Sequence, residues 1–388
     1  MPRLPEFLAL TAEQREIQLA VRAFAAQEIA PHAARWDRES HFPREVLPGM
    51  AELGLFGMLI PEAYGGLGLD TVSYLLALEE IAAADAATAV TMSVHNSLPT
   101  QMILHYGTEA QRMRFLPPMA RGDILGAFAL SEADAGSDAS ALRTQAVRDG
   151  DAYVLNGTKA WVTNGSEAGV ILTMARTDTA GARNGARGIA AFIVTPDLPG
   201  VRVGKHESKM GLRASPTVQL VFDNLRVPID QLLGEPDAGF IYAMASLEHG
   251  RLGIATQAVG IARAAFDHAV AYAAERRQFG KAIKEHEAIQ FKLADMATRI
   301  SGARALLFAA AAAKDRGEGV TQLAAMAKLT ASETAMWVAT QAVQVFGGYG
   351  YVTDYPVERL FRDAKVTEIY EGTSEIQRIV IARELYGE

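Results

Sequence analysis

Ile369-Tyr370-Glu371-Gly372-Thr373-Ser374-Glu375-Ile376-Gln377-Arg378 is the stretch on which the reading of the whole chain turns. Ser374 followed three residues later by Gln377 reads as a capping box, so a helix is predicted to start at Ser374 and run through Ile376, Ile379 and Val380. Gly372 gives the backbone freedom to turn just before that cap. The first turn of a helix leaves N–H groups unpaired and carries partial positive charge, which suits an anionic ligand or an oxyanion. Glu371 stands immediately ahead of it, after the apolar pair Ile369-Tyr370. Two readings of Glu371 stay open on these residues alone. It is a partly desolvated carboxylate aimed into a cavity, or a surface loop acid near a helix N-terminus, where acids are favoured anyway.

Upstream, the chain from Gly239 on reads as helical. Four segments have long apolar faces: Ile241 to about Arg276, Ile289 to Ala313, Leu323 to Phe346 and Ser374 to Leu385. Alanine is frequent in them and allows close helix packing. Between Gly126 and about Pro228 the pattern changes to short strand-like runs: Tyr153-Val154-Leu155, Val170-Ile171-Leu172, Ile189 to Val194 and Thr217 to Phe222. Asn156-Gly157 reads as a hairpin turn, and Ala180 to Gly188 as a mobile loop. Residues 1 to about 125 are helical again, with a capping box at Thr11 and Gln14 and Ile17, Val21 and Phe24 at helical spacing. The fold class is therefore α+β, mainly α: a helical domain over 1–125, an antiparallel β domain over 126–236 and a four-helix bundle over 237–388.

Composition narrows the function. The 388 residues are 49% hydrophobic and 21% charged, with a net charge of -8. An acidic chain is not a general nucleic-acid binder, because phosphate binding is driven by basic surface. There are no cysteines, which excludes disulfides, thiolate catalysis and cysteine metal sites; no metal is expected. The N-terminus shows no secretory signal, and the longest apolar run, Ala305 to Ala313, is too short to span a membrane. A cytoplasmic protein is expected, or a mitochondrial-matrix one if the chain is a processed eukaryotic product. Gly65-Gly66-Leu67-Gly68 fits no phosphate-binding pattern, and no strand–GxGxxG–helix unit is present.

Four further stretches admit a plain and a functional reading. Phe128-Ala129-Leu130-Ser131-Glu132-Ala133-Asp134-Ala135-Gly136-Ser137 is an ordinary loop, or it brings N–H and hydroxyl groups to a flat ligand. Trp161-Val162-Thr163-Asn164-Gly165 is core packing or a cofactor wall. Arg276-Arg277-Gln278-Phe279-Gly280 is a helix end with favourable cations or a phosphate clamp. Gln344-Val345-Phe346-Gly347-Gly348-Tyr349-Gly350-Tyr351 is a C-cap or a close approach of backbone to a diphosphate.

Taken in order, these stretches resemble the acyl-CoA dehydrogenase family, most closely its short-chain (butyryl-CoA) members. Lys209-Met210-Gly211-Leu212-Arg213, Gly250-Arg251-Leu252-Gly253-Ile254-Ala255 and Gln290-Phe291-Lys292-Leu293-Ala294-Asp295-Met296 join the resemblance, which covers nearly the whole chain. It implies a helical–β–helical fold, a homotetramer arranged as a dimer of dimers, one FAD per subunit, an acyl-CoA substrate and an electron-transferring flavoprotein as partner. Glu371 is then the catalytic base. Phe128, Leu130, Ser131, Gly136 and Ser137 line the flavin, with Ser137 also at the start of the acyl-CoA channel. Trp161, Val162 and Thr163 pack along the flavin ring. Arg276, Phe279, Glu287, Gln344, Val345, Phe346, Gly347 and Gly348 hold FAD across a dimer interface, and Thr373, Ser374 and Glu375 meet it at the helix start. Glu248, His249, Gly250, Arg251, Tyr370 and Gly372 touch the substrate.

The sequence departs from the family at three points. Glu132-Ala133-Asp134 replaces the usual Glu-Pro-Gly, which is expected to loosen that turn. Glu287 stands where short-chain members carry Gln, and Glu248 where the family carries Asp. Arg183, Arg187, Lys205 and Arg213 lie in the right domain for the CoA phosphates.

Overall fold

The computed structural model describes residues 6–177 and 185–387. Most of the loop expected over Ala180 to Gly188, and Arg183 with it, lies outside the described residues. Seven α-helices come first: α1 (Ala12–Phe24), α2 (Ala33–Glu39), α3 (Leu47–Glu52), α4 (Thr71–Ala84), α5 (Ala86–Ser97), α6 (Pro99–Tyr106) and α7 (Glu109–Ala120). The capping box at Thr11 and Gln14 is formed. Asp70 caps α4 through the Ser73 N–H, and Asp85 ends α4 while capping α5 through the Thr88 N–H. Both helices are buried on nearly every face, as their uniform apolar and small-residue content requires.

Eight strands follow: β1 (Leu125–Ala129), β2 (Gln145–Asp149), β3 (Ala152–Thr163), β4 (Ala168–Thr177), β5 (Ile189–Val194), β6 (Val201–His206), β7 (Thr217–Pro228) and β8 (Leu232–Leu233). They form one sheet in the order β6-β7-β3-β2-β4-β5-β8, with β1 on β4. The sheet is mixed rather than purely antiparallel, since β1 and β2 both run parallel to β4. Asn156-Gly157 makes no hairpin. It is a bulge inside β3, where Asn156 Oδ1 accepts the Asn224 N–H and a side chain at Gly157 would meet Thr144. The hairpin turn lies earlier, at Gly150, whose φ is +64°.

The C-terminal part holds α8 (Gly239–Glu275), a two-residue pair β9 (Arg277–Gln278) and β10 (Lys281–Ala282), α9 (Glu287–Asp315), α10 (Thr321–Phe346), α11 (Val357–Val366) and α12 (Ser374–Tyr386). α11 was not among the four expected segments, although Val357, Leu360, Phe361 and Ala364 recur at helical spacing along it. α8 packs against α4, α5, α9 and α10 and joins the two helical parts in one core. Buried ions brace that joint. Arg263 reaches Glu79 at 2.7 Å and Glu80 at 2.6 Å, and Arg304 reaches Glu79 at 2.9 Å. Such charges are tolerated inside only because each finds a partner.

The β sheet is tied on at Gly126. Its N–H donates to His95 Nδ1 at 3.0 Å and its carbonyl accepts from Asn164 Nδ2 at 3.2 Å. Nδ1 is thus the acceptor, so Nε2 carries the proton and donates to Phe56 O at 3.2 Å. Burial pulls His95 down to about 4, keeping it neutral for this task.

Candidate active site

Glu371 and Gly372 both sit in the left-handed region, at φ 52° and 92°. A carboxylate residue there is uncommon and needs its surroundings to hold it. Gln377 reaches back from α12, its Nε2 donating to Gly372 O at 2.8 Å and Glu371 O at 3.2 Å. Lys328 Nζ, from α10, donates to the same Gly372 carbonyl at 2.8 Å. The helix cap differs from the sequence reading by one residue. Thr373 is the N-cap, accepting the Ile376 N–H at 3.3 Å, and Ser374 is the first helical residue. Gln377 does fold back as expected, but onto the turn carbonyls instead of the cap N–H. Ser374 Oγ is left buried without a partner.

The turn aims the Glu371 side chain at α8. A β-carbon built on Gly250 would come within 2.9 Å of Glu371 Cδ and 3.2 Å of Leu98 Cδ2, and would overlap Oε2. Glycine at 250 therefore makes room for the carboxylate. Oε2 is buried and has no hydrogen-bond partner. Burial lifts Glu371 to about 7, against the pull of Lys328 and Arg251, whose positive charges favour ionisation. Arg251 is buried with Nε and Nη1 unpartnered, near both Glu371 and Glu248. Glu248 accepts the Thr321 hydroxyl at 2.6 Å. His249, one residue on, is pulled down to about 3 by burial and by Lys314, so it is neutral. Tyr370 is anchored by its hydroxyl to Gln257 on α8.

The β domain presents a second cluster. Trp161, far from being core, is 61% exposed with φ 61°, pushed out by the register shift between Lys159 and Val162. Thr163 is half-buried beside it. Val162 and Leu130 face the core and are buried, their carbonyls taken by the Gly165 N–H and Lys159 Nζ, so the structure does not expose them to a ligand as expected. The loop after β1 is not loosened by Ala133-Asp134. Glu132 and Ala135 exchange backbone hydrogen bonds at 3.1 Å, and the Glu132 carboxylate takes the N–H groups of Arg143 and Thr144 and Lys159 Nζ. Lys159 also holds Leu130 O at 3.0 Å. Phe128 and Ser131 are half-buried, and Gly136 and Ser137 are exposed at the rim.

A third cluster lies at the far end of α10. Arg276, Gln278, Val345, Phe346, Gly347, Gly348 and Tyr349 line an open groove of about 730 Å³. Tyr272 stacks on Phe346 at 4.0 Å to form an aromatic floor. Gly347 has φ 61°, and side chains at 347 or 348 would meet nothing within 4 Å, so the backbone is open to approach. Gln344 is exposed beside the groove; Glu287 is exposed at the start of α9, outside its lining. Phe279 is 94% exposed at the β9–β10 turn. From Lys328 to Phe346, α10 rises about 27 Å, so within one chain this groove is far from Glu371. Of the cations considered for CoA, Lys205 is paired with Glu207 at 2.5 Å and Arg213 with Lys209 O at 3.3 Å; Arg187 is exposed. Among the described residues no acidic or histidine cluster could hold a metal, and no helix is long and apolar enough to cross a membrane.

Lys328 and Lys159 carry hydrogen bonds that shape these clusters, yet neither stood out in the sequence as a site residue. A lysine in an alanine-rich helix reads as solvated, and only the fold reveals that Lys328 is wholly buried.

Comparisons with known proteins agree over the full length. The family descriptions "Acyl-CoA dehydrogenase, N-terminal domain", "middle domain" and "C-terminal domain" match residues 11–123, 127–225 and 237–386. The mouse short-chain specific acyl-CoA dehydrogenase is 50% identical over 94% of this chain and 88% of its own length. The butyryl-CoA dehydrogenase of Megasphaera elsdenii is 43% identical, with a TM-score of 0.95 over 98% of this chain and 100% of that one. A chain from a structure of the electron transferring flavoprotein of Acidaminococcus fermentans is 46% identical, with a TM-score of 0.96 over 99% and 100%. On these matches the chain belongs to the acyl-CoA dehydrogenase family.

Proposed function

We propose that the chain oxidises a short-chain acyl-CoA to the trans-2-enoyl-CoA, with Glu371 as the base, FAD as cofactor and an electron-transferring flavoprotein as acceptor. The observation that carries this reading is the buried, unpartnered Oε2 of Glu371, held in a left-handed turn against Gly250. The α-proton of a thioester is a poor acid, so its removal needs a desolvated base and a donor for the charge growing on the thioester oxygen. Glu371, at about 7, is poised near neutral pH to take that proton. Its own backbone N–H has no hydrogen-bond partner among the described residues and is a candidate donor to the oxygen. Gly250, Arg251, Tyr370 and Gly372 surround the reacting carbon, while Glu248, His249 and Ser137 stand nearer the CoA. A bound FAD would supply the hydride acceptor for the β-hydrogen as the carbon–carbon double bond forms.

The residues present fit that cofactor. Exposed Trp161, with Thr163, offers a flat wall, and the loop from Phe128 to Ser137 offers hydroxyl and N–H groups. Ser374 Oγ, buried and unpartnered beside Thr373 and Glu375, sits at a helix start suited to a diphosphate. Arg276 and Gly347-Gly348 supply a cation and open backbone for the rest, from a second copy of the chain, since in one copy they are remote from Glu371. Exposed Phe279 and Tyr351 support such an assembly, a dimer of dimers. Similarity to the mouse and Megasphaera proteins supports the short acyl chain, and similarity to the Acidaminococcus structure supports the acceptor.

The test is anaerobic addition of butyryl-CoA to the yellow protein. Bleaching, with recolouring by an electron-transferring flavoprotein but slowly by air, is expected; fast recolouring in air would make the protein an oxidase instead. Glu371→Gln should keep FAD and lose roughly 10²–10⁴-fold in turnover. A variant retaining a third of wild-type activity would mean that Glu371 is not the base.

A further inference from the structure

We propose that Lys328 is a positioning residue for this reaction: its ammonium clamps the Gly372 carbonyl, fixing the left-handed turn that points Glu371 at Gly250, and sets a positive charge beside the carboxylate. The inference rests on Glu371 being the base.

Lys328 is 0% exposed, among the largest wholly buried side chains of the protein. Its only hydrogen-bond partner among the described residues is Gly372 O, at 2.8 Å, and no carboxylate lies within ion-pair distance. A buried cation held by a single carbonyl is costly, and an apolar side chain would fill the same space more cheaply. The carbonyl it holds belongs to the residue directly after Glu371, in the turn where both φ angles are positive. Gln377 from α12 and Lys328 from α10 both donate to that one carbonyl. Burial pulls Lys328 down to about 8, which still leaves it charged at neutral pH; Glu371, Glu368 and Glu375 face it and favour its charge, and Arg251 on α8 opposes it. Glu371 in turn faces Lys328 and Arg251, with Tyr74 and Tyr370 near it. A positive charge here favours the ionised carboxylate, the form that accepts a proton.

Lys328→Met keeps the length but removes charge and donor; Lys328→Gln keeps a donor without charge. Both are measured as flavin-loaded enzyme with butyryl-CoA across pH. Lys328→Met should lose roughly tenfold to a hundredfold in kcat, with KM within about twofold and flavin content unchanged. The acid limb of its kcat/KM profile should move to higher pH. Lys328→Gln should recover part of kcat and keep the displaced limb. A Lys328→Met enzyme with kcat within about twofold of wild type, or a slower one whose limb has not moved, overturns the proposal. If Lys328→Met does not fold, Lys328→Gln decides: a displaced limb supports the role and an unmoved limb overturns it. Glu371→Gln, run in parallel, separates the two claims. If it is active, the base assignment fails; if it is inactive beside an unaffected Lys328→Met, only the role of Lys328 fails.

Discussion

The pocket around Glu371 and the groove around Gly347 lie at opposite ends of α10 and are built on opposite principles. At the Glu371 end the chain supplies everything from itself. α8 gives Gly250 and Arg251, α10 gives Lys328 and α12 gives Gln377, all converging on one turn. The carboxylate is desolvated and raised to about 7. At the other end the aromatic floor of Tyr272 and Phe346 and the bare backbone of Gly347-Gly348 stand open, with Arg276 at the rim. The first is enclosed by its own chain and the second is open to solvent. Under the proposed function, proton transfer is assembled by one chain, while cofactor retention depends on two.

The largest effect that sharpens this contrast is relocation of the base. A side chain at Gly250 would overlap the Glu371 carboxylate, so a carboxylate carried on position 250 would occupy the same space from α8. Glu371→Gly should lose roughly 10²–10⁴-fold in turnover. The double variant Gly250→Glu with Glu371→Gly should recover part of it with an altered chain-length preference. A folded, flavin-loaded double variant no faster than Glu371→Gly across several acyl lengths would show that Gly250 does not face the substrate.

The groove should respond differently. Arg276→Ala should lower flavin content and tetramer stability together, read by absorbance and sedimentation, while turnover per bound flavin stays within about threefold of wild type. Normal flavin and normal assembly would erase the distinction drawn between the two ends.

Much of this architecture was legible in the sequence because local chemistry and periodicity agreed. Thr11 and Gln14 form the box they spell, and the helical, β and helical segments follow their hydrophobic periods. On its own residues Glu371 stayed open between a loop acid and a carboxylate aimed into a cavity, and Gly250 entered the site through the resemblance, because neither residue's partners can be read from local pattern. Other features depended on distant partners. Asn156-Gly157 looked like a turn, but Thr144 and Asn224 make it a bulge. Ser374 looked like the cap, but Gln377 is drawn to the carbonyls of the Glu371 turn, and Thr373 caps instead. Lys328 could not be found at all, because its burial is a property of packing between α8, α10 and α12.

Two smaller effects follow from the raised carboxylate. If Glu371 is the base, activity requires its ionised form, so kcat/KM should fall as pH drops below about 7, not below the ordinary value of 4.5. A limb at 4.5 would place Glu371 in water. The same shift has a stability consequence. Because the folded protein favours the protonated form, that contribution is full below 4.5 and is lost as pH rises through about 7. Glu371→Gln is neutral throughout, so its melting temperature should exceed wild type by a margin that grows from pH 4.5 to pH 7 and then levels. An equal margin at pH 4.5 and pH 8 would mean the carboxylate is not desolvated.

The central claim is that Glu371 takes the α-proton, and hydrogen exchange at that carbon tests it most directly. Butyryl-CoA carrying deuterium at the α-carbon is incubated anaerobically with the enzyme, and label loss to solvent is followed by mass spectrometry. The account predicts rapid loss with wild type and, with flavin-loaded Glu371→Gln, loss at least roughly a hundredfold slower. Loss at the wild-type rate in Glu371→Gln would contradict it.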